Sequence, residues 1–256
     1  MKKSIFFLLL APFVTLAENS FLVAPGVVEF DLTKPATQSF IITNDGDEPI
    51  RLNINPIYLD IGDSSLAMGE HLSPDTKETE NITKNLRVSP KRLSLKPGQR
   101  RDIRVSFRPN KDITDGDYRT HLLVQMLETA KVIDAGTAGD GALGMKIDIK
   151  METAVAIYGR KGEGSAVLDF QCIANEEDGN LIVTTINESE WRFEGQLTIV
   201  NQSQPGEPVY DDRVVSLRGS KRDIKIAKPF QQGTYQLTYS ELTTPDVKTN
   251  IDCKSV

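Results

Sequence analysis

Two histidines, two cysteines and one long run of alternating side chains are the features of this sequence that could do chemistry. His71 lies in an acidic loop, and His121 stands beside Arg119 on the parity of its segment that reads as solvent-facing. A catalytic zinc site takes two or three histidines. No Ser–His–Asp order or glycine-rich phosphate loop accompanies them. Catalysis, a nucleotide cofactor and a metal are therefore not expected.

The alternating run covers residues 143–158: Leu-Gly-Met-Lys-Ile-Asp-Ile-Lys-Met-Glu-Thr-Ala-Val-Ala-Ile-Tyr. From Leu143 to Met151 every odd position is apolar and every even one is glycine or charged. This is the period of a β-strand, one face apolar and one wet. It is far longer than the usual strand of about five or six residues. Met145, Ile147, Ile149 and Met151 form the apolar face. A strand longer than its own sheet has a stretch left over that completes no core at home. Residues 153–158 are apolar on both parities and read as part of the domain's own sheet. The plainer alternative is an ordinary last strand with one buried face.

Strand periodicity fills most of the chain around this run. Phe40 and Ile42 alternate with polar neighbours, as do Ile50, Leu52 and Ile54, then Ile103, Val105 and Phe107, then Tyr118, Leu122, Val124 and Met126. Turn residues separate them: Asn44-Asp45-Gly46-Asp47, Lys96-Pro97-Gly98, Asp115-Gly116. A first strand is expected over Phe21 to Leu32. A second series of short strands follows Gly162-Glu163-Gly164-Ser165, between Val167 and Tyr239. No segment carries a sustained 3.6-residue stripe. The fold class is all-β, with two Ig-like β-sandwich domains in tandem at 18–161 and 166–256 and a linker at 162–165. Residues 62–84 and 129–142 read as long loops of the first domain.

The N-terminus reads as a secretory signal peptide over residues 1–17. It has Lys2 and Lys3, an apolar stretch from Ile5 to Val14 and a cleavage site after Ala17. The formal charge of −6 becomes about −8 once those lysines are removed. Such a chain is a poor nucleic-acid binder, and Arg100, Arg101 and Arg104 read as a solvated strand face. No later stretch is long and apolar enough for membrane insertion. An even cysteine count in an exported chain favours a Cys172–Cys253 disulfide, worth about 4 kcal/mol in the chain-entropy model. Two separate buried thiols are the alternative.

Three stretches together resemble the PapD-like periplasmic chaperones of the chaperone–usher pilus pathways, over essentially the whole mature chain. The first is Val88-Ser-Pro-Lys-Arg-Leu-Ser-Leu-Lys-Pro-Gly-Gln-Arg-Arg-Asp-Ile-Arg-Val105. The second is Gly116-Asp-Tyr-Arg-Thr-His-Leu-Leu-Val124. The third is the long alternating strand ending in Ala156-Ile-Tyr-Gly-Arg160. The resemblance implies a periplasmic chaperone that lends its strand to pilus or fimbrial subunits and hands them to an outer-membrane usher. Met145, Ile147, Ile149 and Met151 would then be the subunit-binding residues. Better-known members anchor the subunit's terminal carboxylate with an Arg in the first strand and a Lys late in the donor strand. Here Ala156 stands at the Lys position, and Phe21 to Leu32 contains no basic residue. Arg51, Lys150 and Arg160 are the candidate substitutes. An Ig-like structural or adhesive module of a surface appendage, without chaperone activity, is the alternative function.

Overall fold

The computed structural model describes residues 20–59, 71–72, 80–127, 150–174, 180–203, 206–226, 233–241 and 246–255. The expected signal peptide, and Met145, Ile147 and Ile149, lie outside the described residues.

Among the described residues ten strands build the first sandwich. They are β1 (Phe21–Ala24), β2 (Val27–Asp31), β3 (Ala36–Asn44), β4 (Ile50–Leu59), β5 (His71–Leu72), β6 (Leu86–Ser89), β7 (Arg92–Leu95), β8 (Arg100–Phe107), β9 (Gly116–Met126) and β10 (Glu152–Lys161). One sheet runs β1-β3-β8-β6. The other runs β2-β10-β9-β4-β5, with β7 also paired to β4. Alternation buries Phe40 and Ile42 of β3, Ile103, Val105 and Phe107 of β8, and Leu122 and Val124 of β9. These meet in one core that Val155 and Ile157 of β10 complete. Fully burying each such side chain is worth about 1.5–3 kcal/mol. The turn between β7 and β8 uses Gly98 at φ +70, a left-handed conformation that glycine adopts without a Cβ clash. Beside it Asn44 donates to Glu48 O and Leu95 O, tying two loops together.

The expectation of one first strand over Phe21 to Leu32 fails. β1 pairs with β3 in one sheet, and β2 pairs in parallel with β10 in the other. Pro25 has no N–H to continue a ladder, so the chain leaves one sheet there and joins the other.

The second sandwich has β11 (Leu168–Ala174), β12 (Leu181–Asn187), β13 (Phe193–Asn201), β14 (Tyr210–Ser216), β15 (Ser220–Ile226), β16 (Thr234–Glu241), β17 (Val247–Asp252) and β18 (Lys254–Ser255). Its sheets run β15-β12-β11-β18 and β14-β13-β16-β17. Leu197, Ile199, Val183 and Leu237 centre its core, and Phe193 meets Tyr239 edge-on at 5.7 Å. A disulfide joins Cys172 of β11 to Cys253, which sits between β17 and β18. The two-domain architecture is that of tandem Ig-like sandwiches. In the linker, a Cβ on Gly164 would lie 2.1 Å from the Trp191 ring, so this segment is pressed against the second domain.

The expected exposure of Arg119 and His121 is corrected: both are buried. β4 accompanies β9 only as far as the Ile57–His121 pair. Beyond it Glu80 and Asn81 take over, with Arg119 N–H donating to Glu80 O at 2.9 Å. The end of the polar stretch 62–84 is thus ordered and packed, with Glu80, Ile82 and Thr83 buried. The Arg119 guanidinium donates to Glu80 Oε1 (2.5 Å), Leu59 O (2.6 Å) and Tyr58 Oη (2.8 Å). Tyr58 Oη in turn donates to Glu80. Burial pushes the Glu80 carboxyl up, and the adjoining Arg119 charge draws it back. His121, two residues on, has a buried Nδ1 with no hydrogen-bond partner. Burial, then the charge of Arg119, lower its pKa from 6.5 to about 4.

His121 is therefore neutral in the fold, and the unfolded chain takes up the proton first. Its stabilising contribution is complete above pH 6.5 and is lost progressively as pH falls toward about 4. Glu80, shifted upward, works in the opposite sense, so the informative quantity is a difference between variants. His121→Phe should flatten the decline in stability below neutrality by as much as about 3 kcal/mol relative to wild type. Urea unfolding at a series of pH values measures this. For the disulfide, which spans 81 residues, a Cys172→Ser/Cys253→Ser protein should lose about 2–5 kcal/mol. Calorimetry should place that loss in the second domain's transition.

Candidate functional site

β10 is paired unequally on its two sides. Against β9 it pairs along its whole length, from Glu152–Gln125 to Lys161–Gly116. Against β2 it pairs only from Ala156 to Arg160. The direction of its main-chain groups follows from two bonds. Met126 N–H donates to Met151 O on the β9 side, and Ala156 N–H donates to Gly26 O on the β2 side. Successive strand residues point their N–H and C=O in opposite directions. Odd residues therefore serve β9 and even ones face outward. At Ala154 these groups reach an edge that no strand among the described residues covers.

Side chains follow the same parity. Val155 and Ile157 are buried, and half-buried Met151 packs against the first domain's own core. Met151 was expected among the subunit-binding residues, and the structure places it at the rim of the home core. On the other face Ala154 and Ala156 are half-buried, and Glu152 accepts from the Gln125 amide at 3.2 Å.

The opposite end of β10 is clamped to the second domain. Arg160 makes a two-pronged contact with Asp117 at 2.8 and 2.6 Å. Hydrogen bonding to Asp117, the larger effect, and that carboxylate's charge raise the pKa of the guanidinium. Asp117 also accepts the Arg192 N–H at 2.7 Å and donates its own N–H to Glu190 O at 2.8 Å. Arg192 lies 4.1 Å over the Tyr158 ring and pairs with Glu29 and Glu194. Arg218 lies 5.1 Å over the Tyr118 ring and pairs with Glu190. Asp117, Arg160, Arg192, Tyr158, Tyr118, Glu29 and Glu194 border an interdomain cleft of about 510 Å³ that Phe30 and Glu241 also line. Burial raises the Glu241 carboxyl.

Of the three basic residues considered as an anchor, Arg160 is committed to Asp117, and Arg51 and Lys150 are exposed at other places. Ala156 sits between Val27 and His121. Sequence reasoning missed the interdomain set. Asp115-Gly116-Asp117 carried only a turn signal, and nothing in Glu190, Trp191 or Arg192 marks them as partners of a residue so far away in the chain.

Fimbrial chaperones are among the solved structures similar to this chain. A chain of the chaperone–tip adhesin complex of CFA/I fimbriae biogenesis is 11% identical, with 90% of this chain and 98% of that one covered at a TM-score of 0.52. The class 5 fimbriae chaperone CfaA gives 11%, 90%, 98% and 0.50. The CsuC–CsuE pre-assembly complex from the archaic chaperone–usher Csu pili of Acinetobacter baumannii gives 13%, 93%, 99% and 0.52. No protein-family model and no curated protein matches the sequence. The chain thus has the PapD-like chaperone fold, in a sequence far from those of its structural neighbours.

Asp117 joins both domains through its side chain and its main chain. Asp117→Ala should cost on the order of 1–3 kcal/mol and uncouple the two thermal transitions. Small-angle scattering should show a broader range of domain orientations while circular dichroism keeps the strand signal.

Proposed function

We propose that this protein is a periplasmic chaperone that holds pilus or fimbrial subunits by lending them the upstream part of β10. It then delivers them to an outer-membrane usher, without catalysis. In this reading residues 1–17 are a cleaved signal peptide, 18–161 the subunit-binding domain and 166–256 the second sandwich. The observation that carries it is the edge at Ala154, which no strand among the described residues covers and which lies directly downstream of the cleanest alternation in the sequence, Leu143 to Met151.

An added strand gains main-chain hydrogen bonds that are indifferent to its partner's sequence, while alternate side chains set the register. Met145, Ile147 and Ile149 are the residues assigned to pockets of the subunit. Met151 joins them where the apolar face passes into the home core. Three such side chains contribute on the order of 5–9 kcal/mol before ordering costs. Methionine suits a surface that accepts several partners, because it is flexible. The chaperones of similar fold, solved with a tip adhesin or a tip subunit, support the choice of partner. With Arg160 bound to Asp117, the subunit's end is held differently from the Arg-and-Lys anchor of better-known members.

Co-purification with a pilus subunit tests this through two variants. Ile149→Asp should abolish capture and leave the chaperone folded. Ala154→Pro should weaken capture at least about tenfold, since proline removes the outward N–H and leaves the β9 ladder intact. Unfolding of the Ile149 variant would make that face private core and end the donor reading. Undiminished capture by both would end it too.

A further inference from the structure

Charge is distributed very unevenly over the first domain. Residues 81–110 hold nine Lys or Arg and one acidic residue, Asp102, for a local charge of +8. The whole chain has a formal charge of −6, so the remainder carries −14. All nine basic side chains of the segment are exposed. The fold places six of them on or at the ends of the β1-β3-β8-β6 sheet, while Arg92 lies on β7 in the other sheet. Arg100 and Arg104 project from β8 and Arg87 from β6, on the face opposite the buried Ile103, Val105 and Val88. Lys96 and Arg101 extend the patch at one end and Arg108 at the other. Among the described residues none of these six forms an ion pair.

Around these arginines the face is mixed: Asp102 lies between Arg100 and Arg104 on β8, half-buried Ile41 stands opposite it, and the other positions are small and polar. Ser39 stands opposite Arg104, Thr43 opposite Arg100, and Thr37 bonds Ser106 across the strands at 2.9 Å. Leu22, on β1 at the sheet's edge, is the one exposed large apolar side chain on these four strands. No aromatic ring projects from this face. Tight protein partners are held mostly by aromatic and arginine anchors seated in desolvated pockets, and single-stranded nucleic acid by stacked rings. A broad face of exposed guanidinium groups that form no ion pair among the described residues lacks both devices. It matches a flat, anionic, hydrated layer. β8 alone runs for about 26 Å, enough to address several headgroups at once.

We infer that this face is a docking surface for an anionic phospholipid bilayer, held by charge alone and without insertion. Guanidinium groups pair well with phosphate oxygens, and each basic residue close to a negatively charged leaflet adds to the attraction. The uncovered edge of β10 belongs to the other sheet, so adsorption and strand lending are independent. The face stands whether or not β10 lends its edge. Adsorption would confine the protein to the membrane surface and leave β10 free.

Co-sedimentation of the full mature protein with vesicles tests this. Vesicles of phosphatidylcholine with about 30 mol% phosphatidylglycerol should retain it at least about tenfold better than pure phosphatidylcholine at low salt. In about 1 M salt, where the Debye length is about 3 Å, the difference should vanish. Arg87→Glu/Arg100→Glu/Arg104→Glu should bring retention down to the pure phosphatidylcholine level. Lys221→Glu/Lys225→Glu/Lys248→Glu, with the same change in net charge on exposed residues of the second domain, should change it less than about twofold. Circular dichroism and melting temperature establish that both variants fold. Equal losses in the two variants, or no preference for the anionic vesicles, would overturn the proposal. Retention on a polyglutamate resin without retention on vesicles would also overturn it, and would assign the face to an acidic protein.

Discussion

Main-chain donors and acceptors tolerate being unpaired only while water reaches them, and this governs β10. On one side its even residues face β2 as far as Ala156; upstream of that, at Ala154, the row continues with no strand of the described residues beside it. On the other side the ladder with β9 is complete. A strand in this state is held in the domain by one neighbour and by its buried side chains, Val155 and Ile157. Most sandwiches shorten or charge such an edge to stop it pairing with other chains. Here the edge leads into a segment of unusual apolar regularity, which is the composition expected if pairing is its purpose.

The clamp at the far end gives the edge a fixed frame. Asp117 opens β9 and Arg160 nearly closes β10, so their ion pair ties the two central strands together at the domain boundary. The Arg192 N–H and the Glu190 carbonyl bring the second sandwich to the same residue. Arg119, two residues further along β9, fastens the segment at Glu80 to Tyr58 and Leu59 of β4. Burying an ion pair seldom adds stability over apolar packing, because both ions lose their water. What it adds here is position: three segments distant in sequence meet at one guanidinium, next to the strand that pairs with β10.

Elements set by local periodicity were legible in the sequence. Phe40 and Ile42, the Ile103–Phe107 alternation and the turn at Gly98 point to strands and a reversal from their own neighbours alone. What depended on distant parts of the chain was not legible. Pro25 marks a break, yet nothing nearby says that the chain crosses between sheets there. His121 has the parity of a wet face and is nevertheless buried, at the last pair that β4 makes with β9, next to the Arg119 that residues 80–81 join. The cysteines were legible as a pair because only two exist. Asp117 was not, since its partners lie in another domain and have ordinary surface identities. β17 lay beyond the strands read from the sequence, although Val247, Thr249 and Ile251 alternate with Lys248, Asn250 and Asp252.

Register is the last consequence of this geometry. Met151, Val155 and Ile157 point toward the home core, and their odd parity is fixed because a slip of one residue would turn every side chain of the strand to the wrong face. Ile149, Ile147 and Met145 have the same parity in sequence. In the proposed complex a subunit pairing upstream of Met151 therefore inherits a register already set by the chaperone's own core. The subunit need not specify it. Its groove only has to accept apolar side chains at every second position, while the hydrogen bonds of the shared ladder come from the backbone. A chaperone built this way separates the two requirements of its partners: alignment comes from its own folded domain, and affinity from contacts that many subunit sequences can supply.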